Sequence, residues 1–185
     1  MVACAVTALV ALPSSAPADV LEDGSWRVQS PDPVADELCG RAVVLFEDMM
    51  LVGAPLSGSS NPGRAFLYRY IDGDWVPTQT FVGDDAYFGS SVDMDAYRIV
   101  IGSPAQDNGG ASRGAVHVYL NYGGTWKYDG AVLAGEDNGE LDEFGRSVAL
   151  DGSFLAVGEP AWDATAGGDH GRASIWRLGE NGNFF

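Results

Sequence analysis

The sequence is poor in cysteine and has no long apolar run. Its two cysteines, Cys4 and Cys39, are too few for a disulfide framework and lack the spacing of a metal site. A single Cys4–Cys39 bridge is possible, but no pattern requires it. No segment approaches the roughly 20 apolar residues that a membrane-spanning helix needs. These absences exclude a disulfide-rich scaffold and predict no membrane span.

Basic residues are also scarce. The chain has 10 Lys and Arg against 26 Asp and Glu, which gives a formal net charge of −16. Such a surface repels phosphate backbones, so no nucleic-acid partner is expected. The charge could attract divalent cations or basic partners, or it could simply keep the surface solvated, which is the simpler interpretation.

Glycine and aromatic residues are abundant, with 25 Gly, 5 Trp, 7 Tyr and 8 Phe. Gly-rich turns between short aromatic and β-branched runs are typical of an all-β fold. Within this pattern the chain repeats itself. One signature reads FGSSV at residues 88–92 and FGRSV at residues 144–148, with an earlier copy, CGRAV, at residues 39–43.

A second signature lies downstream of each copy of the first. It reads VGAP at residues 52–55, IGSP at residues 101–104 and VGEP at residues 157–160. Both signatures recur at the same spacing, 49 residues from the first copy to the second and 56 residues from the second to the third. This agreement establishes a threefold repeat.

Each repeat holds four short β runs, the content of one four-stranded β-propeller blade. Gly after Phe would let the backbone approach a neighbouring blade closely. Pro at the end of the second signature has no N–H to donate, so the second strand is predicted to stop there. Hairpin turns are predicted at Asp72-Gly73, Gly123-Gly124 and Asn181-Gly182. Among the aromatic residues that follow these turns, Trp75 and Trp126 are predicted to pack between adjacent blades.

The first thirty residues allow two interpretations. In one, residues 2–12 are the apolar part of a secretory signal and residues 16–18 (APA) its cleavage site, although no Lys or Arg precedes the apolar run. In the other, they form a degenerate first repeat without its Phe-Gly. The stretch 18–26 matches the closing strand pair of later repeats and belongs to the array. The predicted segments are 1–38 (degenerate blade or signal-like start), 39–87, 88–143 and 144–185 (one blade each).

The two signatures resemble the FG-GAP repeat, whose name spells these residues. The resemblance covers residues 18–185 and implies β-propeller blades like those of integrin-α head domains and of many secreted or surface proteins of microbes and algae. Such proteins are mostly adhesion or ligand-binding propellers, commonly of seven blades. The resemblance therefore implies an extracellular or cell-surface module that binds protein or glycan. A structural repeat segment of a larger receptor or enzyme is the alternative.

Three repeats and a partial one give an all-β chain of about three and a half to four blades, a partial or small propeller. Propellers typically hold four to eight blades. The chain could be part of a larger protein, could close as a four-bladed ring, or could complete a ring with a second copy. Exposed end blades favour association, so self-association is one expected partner interaction.

Many FG-GAP repeats carry a calcium loop between the first and second strands. Here those connections, residues 46–49, 94–97 and 150–153, are short and lack the several spaced oxygen ligands that calcium needs. The sequence therefore resembles the calcium-free variety, and no cofactor is expected. The richest acidic cluster lies in residues 136–143, although acidic linkers of this kind are usually solvated turns. Its weak candidates for metal ligands are Asp137, Asn138 and Asp142.

Ligand-binding residues are expected on loops that rigid strands hold in place. In a propeller, the loops between second and third strands and the linkers between blades lie on one face. Those loops are residues 56–63, 105–113 and 161–171. Trp162 is the main candidate because an aromatic side chain beside carboxylates suits carbohydrate or peptide recognition, although it could instead fold over its own loop. The candidate ligand-binding residues are Trp162, Asp163, His170, Asp107, Arg113 and Tyr87.

Motifs for catalysis are missing. The sequence has no nucleophile elbow, zinc motif or phosphate-cradling loop. His117 and His170 are lone histidines without a triad partner. Acidic pairs are plentiful at this composition, so glycan hydrolysis is a weaker alternative. No enzymatic activity is expected, and no catalytic residue is assigned.

Overall fold

A computed structural model of the chain describes residues 19–20, 24–57, 62–84, 87–107, 113–133, 141–163, 168 and 170–177. These residues form thirteen antiparallel β-strands and no helix, which confirms the all-β prediction. Nothing in these ranges is a helix long and apolar enough to cross a membrane. Cys4 and both interpretations of residues 1–17 lie outside the described residues, whereas Cys39 is a free, half-buried thiol.

The strands form one pair followed by three sheets, and each sheet joins its strands in chain order. The pair is β1 (Asp19–Val20) and β2 (Trp26–Arg27). Blade 1 is β3 (Ala42–Phe46), β4 (Met49–Ala54), β5 (Arg64–Ile71) and β6 (Asp74–Val82). Blade 2 is β7 (Ser91–Met94), β8 (Arg98–Ser103), β9 (Ala115–Tyr122) and β10 (Thr125–Leu133). Blade 3 is β11 (Ser147–Asp151), β12 (Phe154–Glu159) and β13 (Arg172–Arg177).

The predicted strand ends and turns are confirmed where they are described. β4, β8 and β12 each end one residue before the proline of the second signature. Asp72 and Gly73 join β5 to β6 with φ of 53° and 92°, and Gly123 and Gly124 join β9 to β10 with φ of 65° and 92°. Two consecutive positive φ angles define the type I′ hairpin turn. The turn predicted at Asn181-Gly182 lies outside the described residues.

Each copy of the first signature, Cys-Gly in blade 1 and Phe-Gly in blades 2 and 3, forms a tight turn into the first strand of its blade. In blade 2 the N–H of Ser90 donates to the carbonyl of Tyr87 at 3.1 Å, and Gly89 has a φ of 90°. A type II turn needs a positive φ at its third residue, which glycine adopts at little cost. The equivalent glycines of blades 1 and 3, Gly40 and Gly145, have φ of 91° and 88°.

The glycines of the two signatures meet across the boundary between blades. A Cβ atom on Gly53 of blade 1 would overlap the carbonyl oxygen of Gly89 in blade 2. A Cβ atom on Gly102 of blade 2 would likewise overlap the carbonyl oxygen of Gly145 in blade 3. The Ser91 hydroxyl donates to that same Gly145 carbonyl at 2.7 Å. The close approach of neighbouring blades, which was predicted from the first signature, therefore depends on the glycines of both signatures.

The aromatic residues of the repeat fill the interfaces between blades. Phe88 is 1% exposed among apolar side chains of blades 1 and 2, and Phe144 is fully buried between blades 2 and 3. Trp126 is 3% exposed in the same apolar cluster as Phe88. Trp75 and Val28 pack against a second cluster, which contains Phe66 and Tyr68 of blade 1. Burying one such side chain contributes roughly 1.5–3 kcal/mol. The predicted packing between blades is confirmed for Trp126, whereas Trp75 packs against side chains of its own blade and Val28.

The blades have two opposite ends. The end with the Phe-Gly turns and the loops between second and third strands is called the loop face. The end with the hairpin turns is called the turn face. β7 lies between β3 and β11, so the first strands of the blades stand side by side, as around a propeller axis. The described strands are thus consecutive blades of a partial β-propeller.

Candidate binding face

The three loops between second and third strands share one backbone frame on the loop face. The N–H groups of Ser57, Gln106 and Trp162 donate to the carbonyl of the last residue of β4, β8 and β12, respectively, at 3.1–3.3 Å. The carbonyl of each of these three residues then accepts a bond of 2.9–3.1 Å from the glycine that precedes the third strand. The three loops therefore have one equivalent position, which is occupied by different side chains: Ser57, Gln106 and Trp162.

In blades 1 and 2 the side chain at this position is polar and forms a hydrogen bond with another side chain of the protein. The Ser57 hydroxyl donates to the Glu37 carboxylate at 3.1 Å. Gln106 Oε1 lies 2.6 Å from His117 Nε2, and the His117 ring packs edge-on against Phe88. Burial lowers the pKa of His117, and the nearby Asp84 offsets part of this effect. Both loops are thus anchored to the blades by polar contacts.

In blade 3 the position holds Trp162, which covers an ion pair. The Arg172 guanidinium lies 4.4 Å from the centre of the Trp162 ring. Arg172 Nη2 lies 2.8 Å from Glu159 Oε2, and the Glu159 side chain is fully buried. The Ser174 hydroxyl also donates to Glu159. Trp162 therefore has a packing partner in a strand of its own blade.

The other two candidates of this loop are exposed beside Trp162. Asp163 and His170 both face solvent, and the His170 N–H donates to the Trp162 carbonyl at 3.0 Å. The indole N–H of Trp162 is buried, and no described residue accepts a hydrogen bond from it. The structure thus brings Trp162, Asp163 and His170 together in one loop.

Asp107 and Arg113 lie in the corresponding loop of blade 2. Asp107 is exposed, whereas Arg113 is partly buried and its Nε has no hydrogen-bond partner among the described residues. The Arg113 carbonyl accepts a hydrogen bond of 3.1 Å from the N–H of Phe144. This loop of blade 2 therefore contacts the Phe-Gly turn of blade 3 through a backbone hydrogen bond.

Tyr87 lies at the edge of a cleft between blades 2 and 3. It is 42% exposed with a φ of 66°, and Leu141 across the cleft is 63% exposed with a φ of 71°. Non-glycine residues with positive φ are uncommon and carry strain. Glu143 and Arg146 form a 3.8 Å ion pair in the wall of the cleft. The cleft has a volume of about 370 Å³ and is lined by Tyr87, Pro104, Ala105, Leu141, Glu143 and Arg146.

Of the three weak candidates for metal ligands, Asp142 alone lies among the residues that the structure describes. Asp142 is only 3% exposed, while Asp137 and Asn138 lie outside the described residues. No group of three or more His, Cys, Asp or Glu side chains in the described ranges is placed to hold a metal ion.

Comparison with protein families agrees with the repeat seen in the structure. The model of the FG-GAP repeat matches residues 82–119 and 129–176. The chain carries FG-GAP repeats. The two matched segments include the Phe-Gly turns of blades 2 and 3 and the second signature of each. No curated protein sequence matches the chain.

The sequence did not predict the cleft beside Tyr87. Tyr87 and Glu143 occupy the same position, directly before Phe-Gly in successive FG-GAP repeats, and both have positive φ. Leu141 is an apolar residue in an otherwise acidic linker. That exception is the one sequence signal that could have revealed the cleft, because an apolar side chain in a solvated turn requires an explanation.

Proposed function

We propose that this chain is a non-enzymatic recognition module that acts outside the cell or at the cell surface. It binds a protein or glycan through the loop face, at the cleft between blades 2 and 3. FG-GAP repeats form a propeller-type module, and the resemblance to adhesion and ligand-binding propellers supports a binding role. One observation carries the choice of site: exposed Tyr87 and Leu141 flank a cleft of about 370 Å³.

The composition of the cleft fits recognition of a partly apolar ligand. Tyr87 and Leu141 provide apolar surface, and the Glu143–Arg146 pair provides a charged rim. Binding sites of this kind combine apolar walls with a few polar groups that fix orientation. Tyrosine is favoured in binding surfaces because one end of its ring is apolar and the other forms hydrogen bonds.

Glycan arrays and cell-surface protein libraries, probed with the purified chain, test this function. A ligand found in this way should bind the double variant Tyr87→Ala/Leu141→Ala at least tenfold more weakly, because losing a central contact of an interface costs about 2 kcal/mol or more. The control is Tyr97→Ala, since Tyr97 is a 72% exposed tyrosine on the turn face. Equal affinity of the double variant and Tyr97→Ala would overturn the proposed site.

A second function, as a structural segment of a larger propeller, is supported by the outer face of blade 3. Ile175 and Ala156 pair across β12 and β13 as Val118 and Val100 pair across β8 and β9. In blade 2 those valines are buried against blade 3, whereas Ile175 is 70% exposed. This exposed face therefore has the arrangement that accepts a further FG-GAP blade.

The mass of the chain in solution tests the structural function. If the outer face of blade 3 accepts another blade, the chain should self-associate as its concentration rises, and Ile175→Asp should abolish the association. Ile71→Asp is the matched control, because Ile71 is 44% exposed elsewhere on blade 1. A compact monomer of high cooperative stability would contradict this structural function. It would not contradict the proposal that the cleft binds a ligand.

A further inference from the structure

A second cluster of exposed aromatic side chains lies on the turn face, away from the cleft. Trp26 of β2 packs edge-on against Tyr70 of β5, with ring centres 5.7 Å apart and planes inclined by 88°. Tyr70 in turn contacts Trp75, at 5.4 Å and 55°. Trp26 is 39% and Tyr70 is 41% exposed. The three rings thus form one surface at the junction of the strand pair with blade 1, with Tyr70 inclined to both tryptophans.

Two carboxylates border the same surface. Glu47 and Asp48 form the tight turn between β3 and β4, and Glu47 is exposed with a φ of 53°. Arg69 neutralises Asp48 through bonds of 2.8 and 3.2 Å. Glu47 forms no ion pair with any described residue. The open depression has a volume of about 380 Å³ and is lined by Trp26, Glu47, Asp48, Tyr70 and Trp75.

We propose that this depression binds an organic cation, namely an alkylated ammonium or a guanidinium group. The faces of aromatic rings attract cations through their negative quadrupole, and several rings around a carboxylate recognise such groups. The net charge of −16 adds a long-range attraction for cations. The cation would be either a free small molecule or a side chain of a basic peptide.

The arrangement favours a cation over a neutral sugar. A sugar stacks best on one flat ring, whereas the rings of Trp26 and Tyr70 are nearly perpendicular. Glu47 provides a charge that a neutral sugar does not need. A charged group with an apolar envelope fits both features, because it loses little hydration energy when it contacts the rings.

Nuclear magnetic resonance titrations of the full chain test this proposal. Tetramethylammonium chloride and the peptide Gly-Arg-Gly represent the two sources of the cation, and tert-butanol is an uncharged probe of similar shape. Both cations should shift the indole N–H signals of Trp26 and Trp75 at constant ionic strength, whereas tert-butanol should not. A tighter response to one cation identifies its source. Saturation by tert-butanol or by a neutral glucoside instead would overturn the proposal.

Variants separate the contributions of the rings and the carboxylate. Tyr70→Ala and Glu47→Gln should each weaken binding by about two- to fivefold, the size of an exposed cation–π contact. Tyr97→Ala and Asp151→Asn are controls at exposed residues outside the depression and should leave binding unchanged. Glu47→Gln keeps the shape of the turn, so it remains informative if Tyr70→Ala fails to fold. Unchanged binding in Glu47→Gln, or equal losses in the controls, would contradict the proposal.

Discussion

Gly102 of blade 2 lies directly against the carbonyl oxygen of Gly145 of blade 3, leaving no room for a side chain. The same relationship joins Gly53 to Gly89 one blade earlier. The glycine of the second signature in one blade thus packs against the glycine of the first signature in the next blade. The two signatures of the FG-GAP repeat are therefore the two halves of one contact between blades.

The glycine of the Phe-Gly turn has two requirements, which Gly40 and Gly89 separate. Both have a φ near 90°, but a Cβ atom on Gly89 would also overlap the Arg64 carbonyl, whereas one on Gly40 meets no described residue within 4 Å. Gly40→Ala should cost about 1–2 kcal/mol for the left-handed backbone alone. Gly89→Ala should cost roughly 1–3 kcal/mol more for the overlap. Chemical unfolding measures both, and equal losses would contradict this separation.

The ion pair beneath Trp162 should matter more than one at the surface. Arg172→Met removes the guanidinium partner of the fully buried Glu159 and should cost about 3–5 kcal/mol. Arg69→Met breaks the pair with Asp48, whose side chain is 43% exposed, and should cost at most about 1 kcal/mol. Free energies of unfolding from urea titrations give the comparison. A similar loss of unfolding free energy in both variants would mean that burial does not determine how much each ion pair stabilises the protein.

Trp162 should contribute to stability as well as to any binding. Trp162→Ala removes the ring above Arg172 and should cost about 1–2 kcal/mol through lost cation–π contact and packing. Trp162→Phe keeps an aromatic face there and should recover part of this loss. Thermal unfolding of both variants tests the prediction. If Trp162→Ala unfolds like the unmodified chain, the ring does not stabilise the ion pair.

Stability should fall in mild acid because of His117. Burial lowers the pKa of His117 below the value of about 6.5 that an unfolded chain gives it. The unfolded chain therefore takes up a proton first, so stability is complete above about pH 6.5 and decreases as the pH falls toward the folded pKa. His117→Gln should reduce this dependence between pH 7 and 5. The same slope in the unmodified chain and in His117→Gln would contradict the assignment.

The repeat made the framework predictable, while the site depended on contacts between distant residues. Turns such as Asp72-Gly73 are encoded locally, because positive φ selects the residue type. The stop before each proline is local as well. The cleft is different, because Tyr87 and Leu141 are 54 residues apart in the chain and meet only when blades 2 and 3 pack. Trp162 and Arg172 are only ten residues apart, but the loop between them carries no periodic pattern from which their contact could be predicted.

The most direct test of the blade-to-blade contact compares the unfolding of Gly102→Ala with that of Gly158→Ala. Both glycines occupy the same position of the second signature, but only Gly102 faces the backbone of a following blade. Among the described residues, the one atom that a Cβ on Gly158 would overlap is the Ser147 hydroxyl oxygen, which can rotate away. We predict that Gly102→Ala loses roughly 1–3 kcal/mol more than Gly158→Ala. Equal losses in the two variants would contradict the account.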